Sequence, residues 1–256
     1  MRQFTAFFYK EMMEMVRSGK FLILTIVFIL FGIMNPAIAK LTPWMMEITA
    51  DSLAETGLMV TEVTVDALTS WAQYYKNIGM EMIVFLLIFG SILTIEYQKG
   101  TLINMVTKGL ARWKIVLSKT AAVVLMWTFL YWLCFGITYG YNVYFWDNGI
   151  ANHVFFAAFC IYILGIWLIS LVIVMSTIVS SGSLAVLLTG GVFGVFYIVS
   201  LLSDIKEWLP VQLMNAGGLL TGNGGIEDYR WALVVSAVMA VVDVLGAVLV
   251  FDRRDL

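Results

Sequence analysis

Long apolar runs separated by shorter polar segments dominate the chain from residue 21 to residue 251. Each run is close to the ~20 residues that a helix needs to cross the hydrocarbon of a bilayer. The pattern predicts six transmembrane helices, at about 21–39, 78–95, 120–141, 154–179, 184–202 and 231–251. We therefore expect an all-α membrane protein whose residues 1–256 form a single transmembrane domain.

An amphipathic pattern precedes the first span, in residues 3–18. Phe4, Phe7, Phe8, Met12 and Met15 can share one side of a helix, with Lys10, Glu11, Glu14 and Arg17 off that side. This division is typical of a helix that lies flat at a membrane surface with its apolar side in the lipid. Residues 3–18 are therefore predicted to be an interfacial helix.

Two longer polar segments, 40–77 and 203–230, separate the first and last pairs of spans. The first is rich in acidic residues and carries Trp and Tyr near its ends, as expected for a segment bordered by the membrane interface. The second contains Pro210 and a glycine-rich run. We predict that both segments are extracellular.

Composition and charge support this topology. The chain is 61% hydrophobic and 12% charged, with a mean hydropathy of +0.93, whereas a soluble domain carries about 25% charged residues. Of the Lys and Arg residues, four precede residue 21, five lie in 96–119 and two lie in the C-terminal tail. The positive-inside rule therefore predicts that both termini and residues 96–119 are cytoplasmic. Nucleic acid is not an expected partner, because no basic domain lies outside the membrane.

Residues 96–119 form a basic, amphipathic stretch between the second and third spans. Leu102, Ile103, Val106, Leu110, Trp113 and Leu117 fall on one face of an ideal helix. A helix with one apolar and one cationic face suits a partner's groove or a membrane surface. The sequence pattern leaves two interpretations open: a docking element, or an ordinary cytoplasmic loop that rests on lipid.

The same stretch carries a motif, Glu96-x-x-x-Gly100-Thr101, followed by Arg112 and Lys119. With the interfacial helix, a short loop near Ser181 and the tail 251–256, this series resembles the permeases of the type-2 exporter family of ABC transporters over essentially the whole chain. The resemblance implies a cytoplasmic coupling helix that sits in a groove of a separate ATPase subunit. Its residues here would be Glu96, Gly100, Thr101, Lys108, Arg112 and Lys119.

The chain departs from that family at one point and leaves one segment open. Thr107-Lys108-Gly109 stands where the family often has Ser-x-Pro, and Gly109 can still turn the chain. The resemblance also implies that part of 203–230 re-enters the outer leaflet, and a plain extracellular loop is the alternative.

Charged residues are scarce within the predicted spans. Asp243 lies inside the sixth span, where an Asp costs about 2.5–3.5 kcal/mol on insertion scales, so it should face the bundle interior. It is either a substrate or gating contact or a hydrogen-bond partner of a neighbouring helix. Asn35 and Pro210 are further pathway or gating candidates, and Glu81 is expected at the interface in contact with water.

The sequence contains no GxxxxGK[ST] phosphate loop. The resemblance therefore implies a permease without catalytic activity or a metal of its own, while ATP and Mg²⁺ bind the partner ATPase. It further implies a homodimer in a bacterial cytoplasmic membrane that exports a hydrophobic or amphipathic substrate such as a peptide, drug or lipid. The alternatives are an ATP-independent secondary transporter or channel, and an intramembrane serine protease using Ser183 and His153.

Overall fold

The computed structural model describes residues 2–54, 65–107, 109–202 and 205–254. Its helices are α1 (Arg2–Arg17), α2 (Lys20–Ala54), α3 (Ala67–Phe89), α4 (Thr94–Gln98), α5 (Thr101–Thr107), α6 (Arg112–Phe145), α7 (Val154–Ile178), α8 (Gly182–Leu202) and α9 (Glu227–Arg253). Three 3₁₀ helices are present at Asn148–Ile150, Lys206–Trp208 and Pro210–Thr221. The described ranges contain no strand and six helices long and apolar enough to cross a membrane, which confirms the predicted fold class.

The helices around the first polar segment extend beyond their predicted ends. Helix α2 continues through Pro36 and Pro43 to Ala54, and α3 already begins at Ala67. Asp66 starts α3 because its carboxylate accepts a hydrogen bond of 2.9 Å from the Thr69 amide. Much of segment 40–77 is therefore helical. The pattern of hydropathy did not predict these helix ends, because it indicates where a chain enters lipid and not where its helix ends. Residues 55–64 lie outside the described part.

Helix α7 lies at the centre of the bundle. It packs against α6, α8, α9 and the 3₁₀ helix Pro210–Thr221. By contrast, α8 and α9 leave large apolar side chains on the outside, including Leu187 and Leu249, which are 69% and 63% exposed. These outer faces suit lipid or another membrane-embedded subunit.

Close packing of α6 on α7 depends on a glycine. The Trp127 ring of α6 lies directly on the backbone of Gly165 in α7, and its indole nitrogen donates to the Tyr162 carbonyl at 3.2 Å. A β-carbon at residue 165 would stand 2.3 Å from the ring. The absence of a side chain at Gly165 is thus what lets the two spans approach.

Gly165→Ala should lower the free energy of unfolding by about 1–3 kcal/mol, because the added methyl overpacks the contact with Trp127. Denaturant titration in mixed micelles would measure this change. Gly136→Ala in α6 is the matched control, since a β-carbon there meets no atom within 4 Å. An equal loss of stability in both variants would contradict this account.

Candidate functional site

Five charged side chains meet at the end of the bundle that carries α1. This ion-pair cluster consists of Lys10, Glu11 and Glu14 of α1, Glu96 of α4 and Lys119 of α6. The Lys119 ammonium lies 2.8 Å from a Glu11 oxygen and 3.1 Å from a Glu96 oxygen. The Lys10 ammonium lies 2.9 Å from Glu11, 2.9 Å from Glu14 and 3.1 Å from Glu96. The cluster therefore ties α1 to both ends of the stretch 96–119.

The centre of the cluster is buried. Glu11, Glu96 and Lys119 are 3%, 5% and 2% exposed. Glu11 stands four residues from each of the buried Phe7 and Met15, so it lies on the inward side of α1. The prediction that Glu11 lies off the apolar side was wrong, and its spacing from Phe7 and Met15 was the signal that could have corrected it.

Charge is balanced within the cluster by its own lysines. Burial opposes the charge on Lys10, but hydrogen bonds to Glu14 and Glu11 outweigh it and raise the pKa of the lysine. The bond from Lys10 in turn lowers the pKa of Glu14. Oxygens of Glu11, Glu14 and Glu96 lie within 4.8 Å of one another, a spacing that could hold a metal ion. Lys10 and Lys119 already supply cations there, so the geometry fits internal ion pairs better than a metal site.

The stretch 96–119 is not one continuous helix. Gly100 has φ +64° before α5, and Gly109 has φ +84° after it, so the chain turns at both glycines. The predicted apolar stripe is therefore divided: Leu102 of α5 is buried, while Trp113 of α6 is 47% exposed. The turn expected at Gly109 is confirmed. Thr101 begins α5, and Lys108 lies outside the described residues.

Arg112 binds the end of the last span. Its guanidinium donates to the carbonyls of Phe251, Asp252 and Arg254 at 3.2, 2.8 and 2.7 Å. These carbonyls belong to the C-terminal end of α9, where helical partners are missing and a cation is favourable. Arg112 thus joins the start of α6 to the end of α9.

Arg254, directly after α9, binds the end of α7 in a similar way. Its guanidinium donates to the carbonyls of Thr177 and Val179 at the end of α7 and lies 4.2 Å from the centre of the Tyr97 ring. We call Arg112 and Arg254 the arginine clasp. Sequence reasoning missed the role of Arg254, because a basic residue after a helix end predicts a cap of that helix, α9, and Arg254 binds carbonyls of α7.

The fold thus joins six spans to an interfacial-type helix and to a short glycine-bounded helix between the second and third spans. A family model described as an ABC-2 family transporter protein matches residues 5–204. The chain belongs to the ABC-2 transporter family. It is accordingly the membrane-spanning permease component of an ABC transporter. Comparison with curated proteins gave no match.

The matched range of this ABC-2 permease includes the ion-pair cluster, α5 and the first five spans. It also includes the pathway candidate Asn35, which is completely buried. Its side-chain oxygen accepts from Asn77 at 2.8 Å, and its amide donates to Thr138 at 3.4 Å. Asn35 therefore links the first three spans, and the structure gives it a packing role between them.

The other pathway candidates of the ABC-2 permease lie apart from Asn35. Asp243 in α9 accepts a hydrogen bond of 3.0 Å from Ser170 in α7, which agrees with the helix–helix alternative. Pro210 is buried at the first position of its 3₁₀ helix. Glu81 is completely buried in α3, with Cys134 as a weak donor at 3.6 Å, so the expectation that it contacts water was wrong.

Proposed function

We propose that this ABC-2 permease works as a dimer in a bacterial cytoplasmic membrane and exports a hydrophobic or amphipathic substrate. Separate ATPase subunits, which bind ATP and Mg²⁺, dock on the α4–α5 segment and drive the two permease copies between inward-open and outward-open states. Both termini and the ion-pair cluster are then cytoplasmic. The observation that carries the proposal is the set of ion pairs by which Glu96 of α4, directly before α5, is joined to α1 and α6.

The surface around α5 supports docking. Lys99 and Gly109, on either side of α5, are exposed, and Lys108 adds a further positive charge in the sequence. An acidic groove on an ATPase would match this charge, which sets orientation and binding rate more than affinity. Gly100, Thr101 and Lys108 lie between these exposed residues in the sequence, and they are our candidates for direct contact with the ATPase.

The members of the motif that bind other helices have a different proposed role. Glu96 and Lys119 face α1, and Arg112 faces α9, so these side chains position α5 instead of extending into a groove. Force on α5 would then reach α1, α6 and α9 through charge-assisted hydrogen bonds, which are stronger than neutral ones.

The outer faces of the spans support the dimer and the class of cargo. The exposed apolar side chains of α8 and α9 provide surface for a second copy and for lipid. The segments between spans at the α1 end are short in the described ranges, which favours export over uptake that needs a large receiving domain.

The serine-protease alternative lacks a site. His153 precedes α7 and Ser183 lies near the start of α8. The 25 residues of α7 separate them by about 37 Å at 1.5 Å per residue. A general base must lie within hydrogen-bond reach of its nucleophile, so these two residues cannot act together. The remaining alternative is transport without ATP.

The docking proposal predicts that Lys99→Glu combined with Lys108→Glu reduces association with the ATP-binding subunit at least about tenfold, because like charges then face each other across the interface. Co-purification of tagged permease with that subunit, followed by vanadate-sensitive ATP hydrolysis, measures the effect. Lys206→Glu is the matched control, since Lys206 is exposed at the opposite end of the bundle.

Two results would contradict the proposal. One is that Lys206→Glu reduces association with the ATPase as much as the Lys99→Glu, Lys108→Glu variant does. The other is a permease that purifies without any ATP-binding subunit and transports in liposomes without nucleotide, which would favour the secondary transporter or channel.

A further inference from the structure

A largely apolar cavity lies on one side of the bundle, between α3, α7, α8 and the 3₁₀ helix Pro210–Thr221. Its volume is about 330 Å³, at the lower end of the ~300–1,000 Å³ typical of small-molecule sites. Met82, Leu86, Leu168 and Phe193 are among the side chains that line it. The cavity therefore suits a hydrocarbon group of modest size.

One end of the cavity carries a positive charge. Among the described residues that line it, Lys76 is the one with a charged side chain. Lys76 is exposed and makes no ion pair or hydrogen bond with any residue in the described ranges. An ammonium at the edge of an apolar space, with no acid of the described ranges paired to it, is complementary to an anionic group.

The neighbouring Tyr75 adds a second polar group without a hydrogen-bond partner in the described structure, its hydroxyl. Tyr75 also lines the cavity, and its hydroxyl is buried without a hydrogen-bond partner in the described structure. A buried hydroxyl without a partner costs about 1–3 kcal/mol. A ligand with acceptor oxygens near Lys76 could remove part of this cost.

The polar and apolar parts of the cavity are arranged along α3. The lining residues of this helix run from Tyr75 to Leu86, about 16 Å of helix axis at 1.5 Å per residue. Lys76 lies at the side of the cavity that faces the start of α3, whereas Met82 and Leu86 lie further along the helix towards Phe89. A molecule with one charged head and one apolar tail would match this order.

We propose that this cavity binds a single-tailed anionic amphiphile taken from the surrounding leaflet, with its tail between α3, α7 and α8 and its headgroup on Lys76. The binding step stands on the cavity alone. That the bound amphiphile represents the exported cargo rests on the proposed function.

The test uses full-length protein in maltoside micelles and two probes of equal chain length, lysophosphatidylglycerol and lysophosphatidylcholine. Native mass spectrometry would measure binding of each. We expect the anionic probe to bind at least about tenfold more tightly, because the phosphate of either probe can accept a bond from Lys76, but the choline cation of lysophosphatidylcholine repels the lysine and offsets that attraction.

Two variants separate the headgroup contact from the tail contact. Lys76→Gln should abolish the preference for the anionic probe. Gly190→Leu should weaken both probes about tenfold, because Gly190 lines the cavity and a β-carbon there meets no atom within 4 Å, so the new side chain has room to fill the space.

The chain offers a control for each variant. Lys40→Gln removes another exposed lysine, whose ammonium lies over the Phe145 ring at 3.6 Å and does not line the cavity. Gly191→Leu makes the same change at the next residue of α8, which also has open space and does not line the cavity. Both controls should bind the probes as the unmodified protein does.

Equal binding of the two probes, no binding of either, or an unchanged preference in Lys76→Gln would overturn the proposal. An equal effect of Gly191→Leu and Gly190→Leu would do so as well. None of these measurements involves the ATPase, so failure here is distinguishable from failure of the docking test.

Discussion

Replacing Lys119 with Met should lower the free energy of unfolding by about 3–5 kcal/mol. The substitution removes the ammonium that lies 2.8 Å from Glu11 and 3.1 Å from Glu96, and both carboxylates are buried. Lys10 still contacts both carboxylates, but its single ammonium must then balance Glu11, Glu14 and Glu96, and buried negative charge that is not balanced is costly. Denaturant titration in mixed micelles gives the change in free energy.

A second variant separates the loss of a charge partner from the loss of packing. Adding Glu11→Gln to Lys119→Met removes one buried carboxylate, so that Lys10 has to balance only Glu14 and Glu96 within the cluster. We expect the double variant to recover at least about 1 kcal/mol, since directly interacting residues are not additive. If the two losses simply add, electrostatic pairing is not what holds Lys119 in place.

Lys114→Met is the matched control for Lys119→Met. Lys114 lies in the same helix, but its ammonium contacts the exposed side chains of Gln3, at 2.7 Å, and Trp113, at 5.6 Å from the ring centre. We expect a loss below about 1 kcal/mol, as for exposed charged groups. The double variant and this control together decide whether burial of the pair, and not the positive charge of α6 in general, stabilises the cluster.

Arg112→Met should detach the end of α9 from the start of α6. The change removes three hydrogen bonds to backbone carbonyls at residues 251, 252 and 254, with an expected loss of about 1.5–3 kcal/mol. Amide hydrogen exchange of residues 251–254 should rise more than exchange in the centre of α9. This local measurement separates a released helix end from general destabilisation.

Arg112→Lys should restore less than half of that stability, because an ammonium lacks the fixed, forked donors of a guanidinium. Arg253→Met is the control, since Arg253 is exposed beside the clasp and should tolerate the change. Unchanged exchange at 251–254 in Arg112→Met would contradict the role of the clasp.

The number of spans could be predicted because each membrane crossing imposes a requirement on consecutive residues of the sequence. Each crossing needs a run of apolar residues whose backbone groups are satisfied within one helix, so the information lies in some twenty consecutive residues. The six spans were confirmed for this reason. Helix ends were less predictable: α2 continues to Ala54 since nothing in hydropathy marks the end of a helix outside the lipid.

The charged residues show where prediction from one sequence stops. Lys119 and Glu96 were recognised as part of one motif, but their partners in α1 are more than eighty residues away along the chain. Arg112 and Arg254 bind carbonyls of helices that are distant in sequence. Periodicity describes the faces of a helix, and it contains no information on which face of which other helix lies opposite.

Glu81 is a charged residue for which the sequence predicted contact with water and the structure shows burial. Its position near the predicted start of the second span suggested contact with water, but α3 begins at Ala67 and the carboxyl group lies inside the bundle beside Cys134. The cavity between α3, α7 and α8 was likewise beyond prediction, because its lining includes helices that are not neighbours in the sequence.

The sequence by itself determined the six spans, the amphipathic first helix, the bias of positive charge and the resemblance to ABC exporters, since these follow from neighbouring residues and their spacing. Only the tertiary structure decided that Glu96 and Lys119 are buried and that Arg112 binds the end of α9, while Lys99 and Gly109 stay exposed. The physical reason is that burial of a charge depends on the helices packed around it, and packing between distant segments is set by the whole fold.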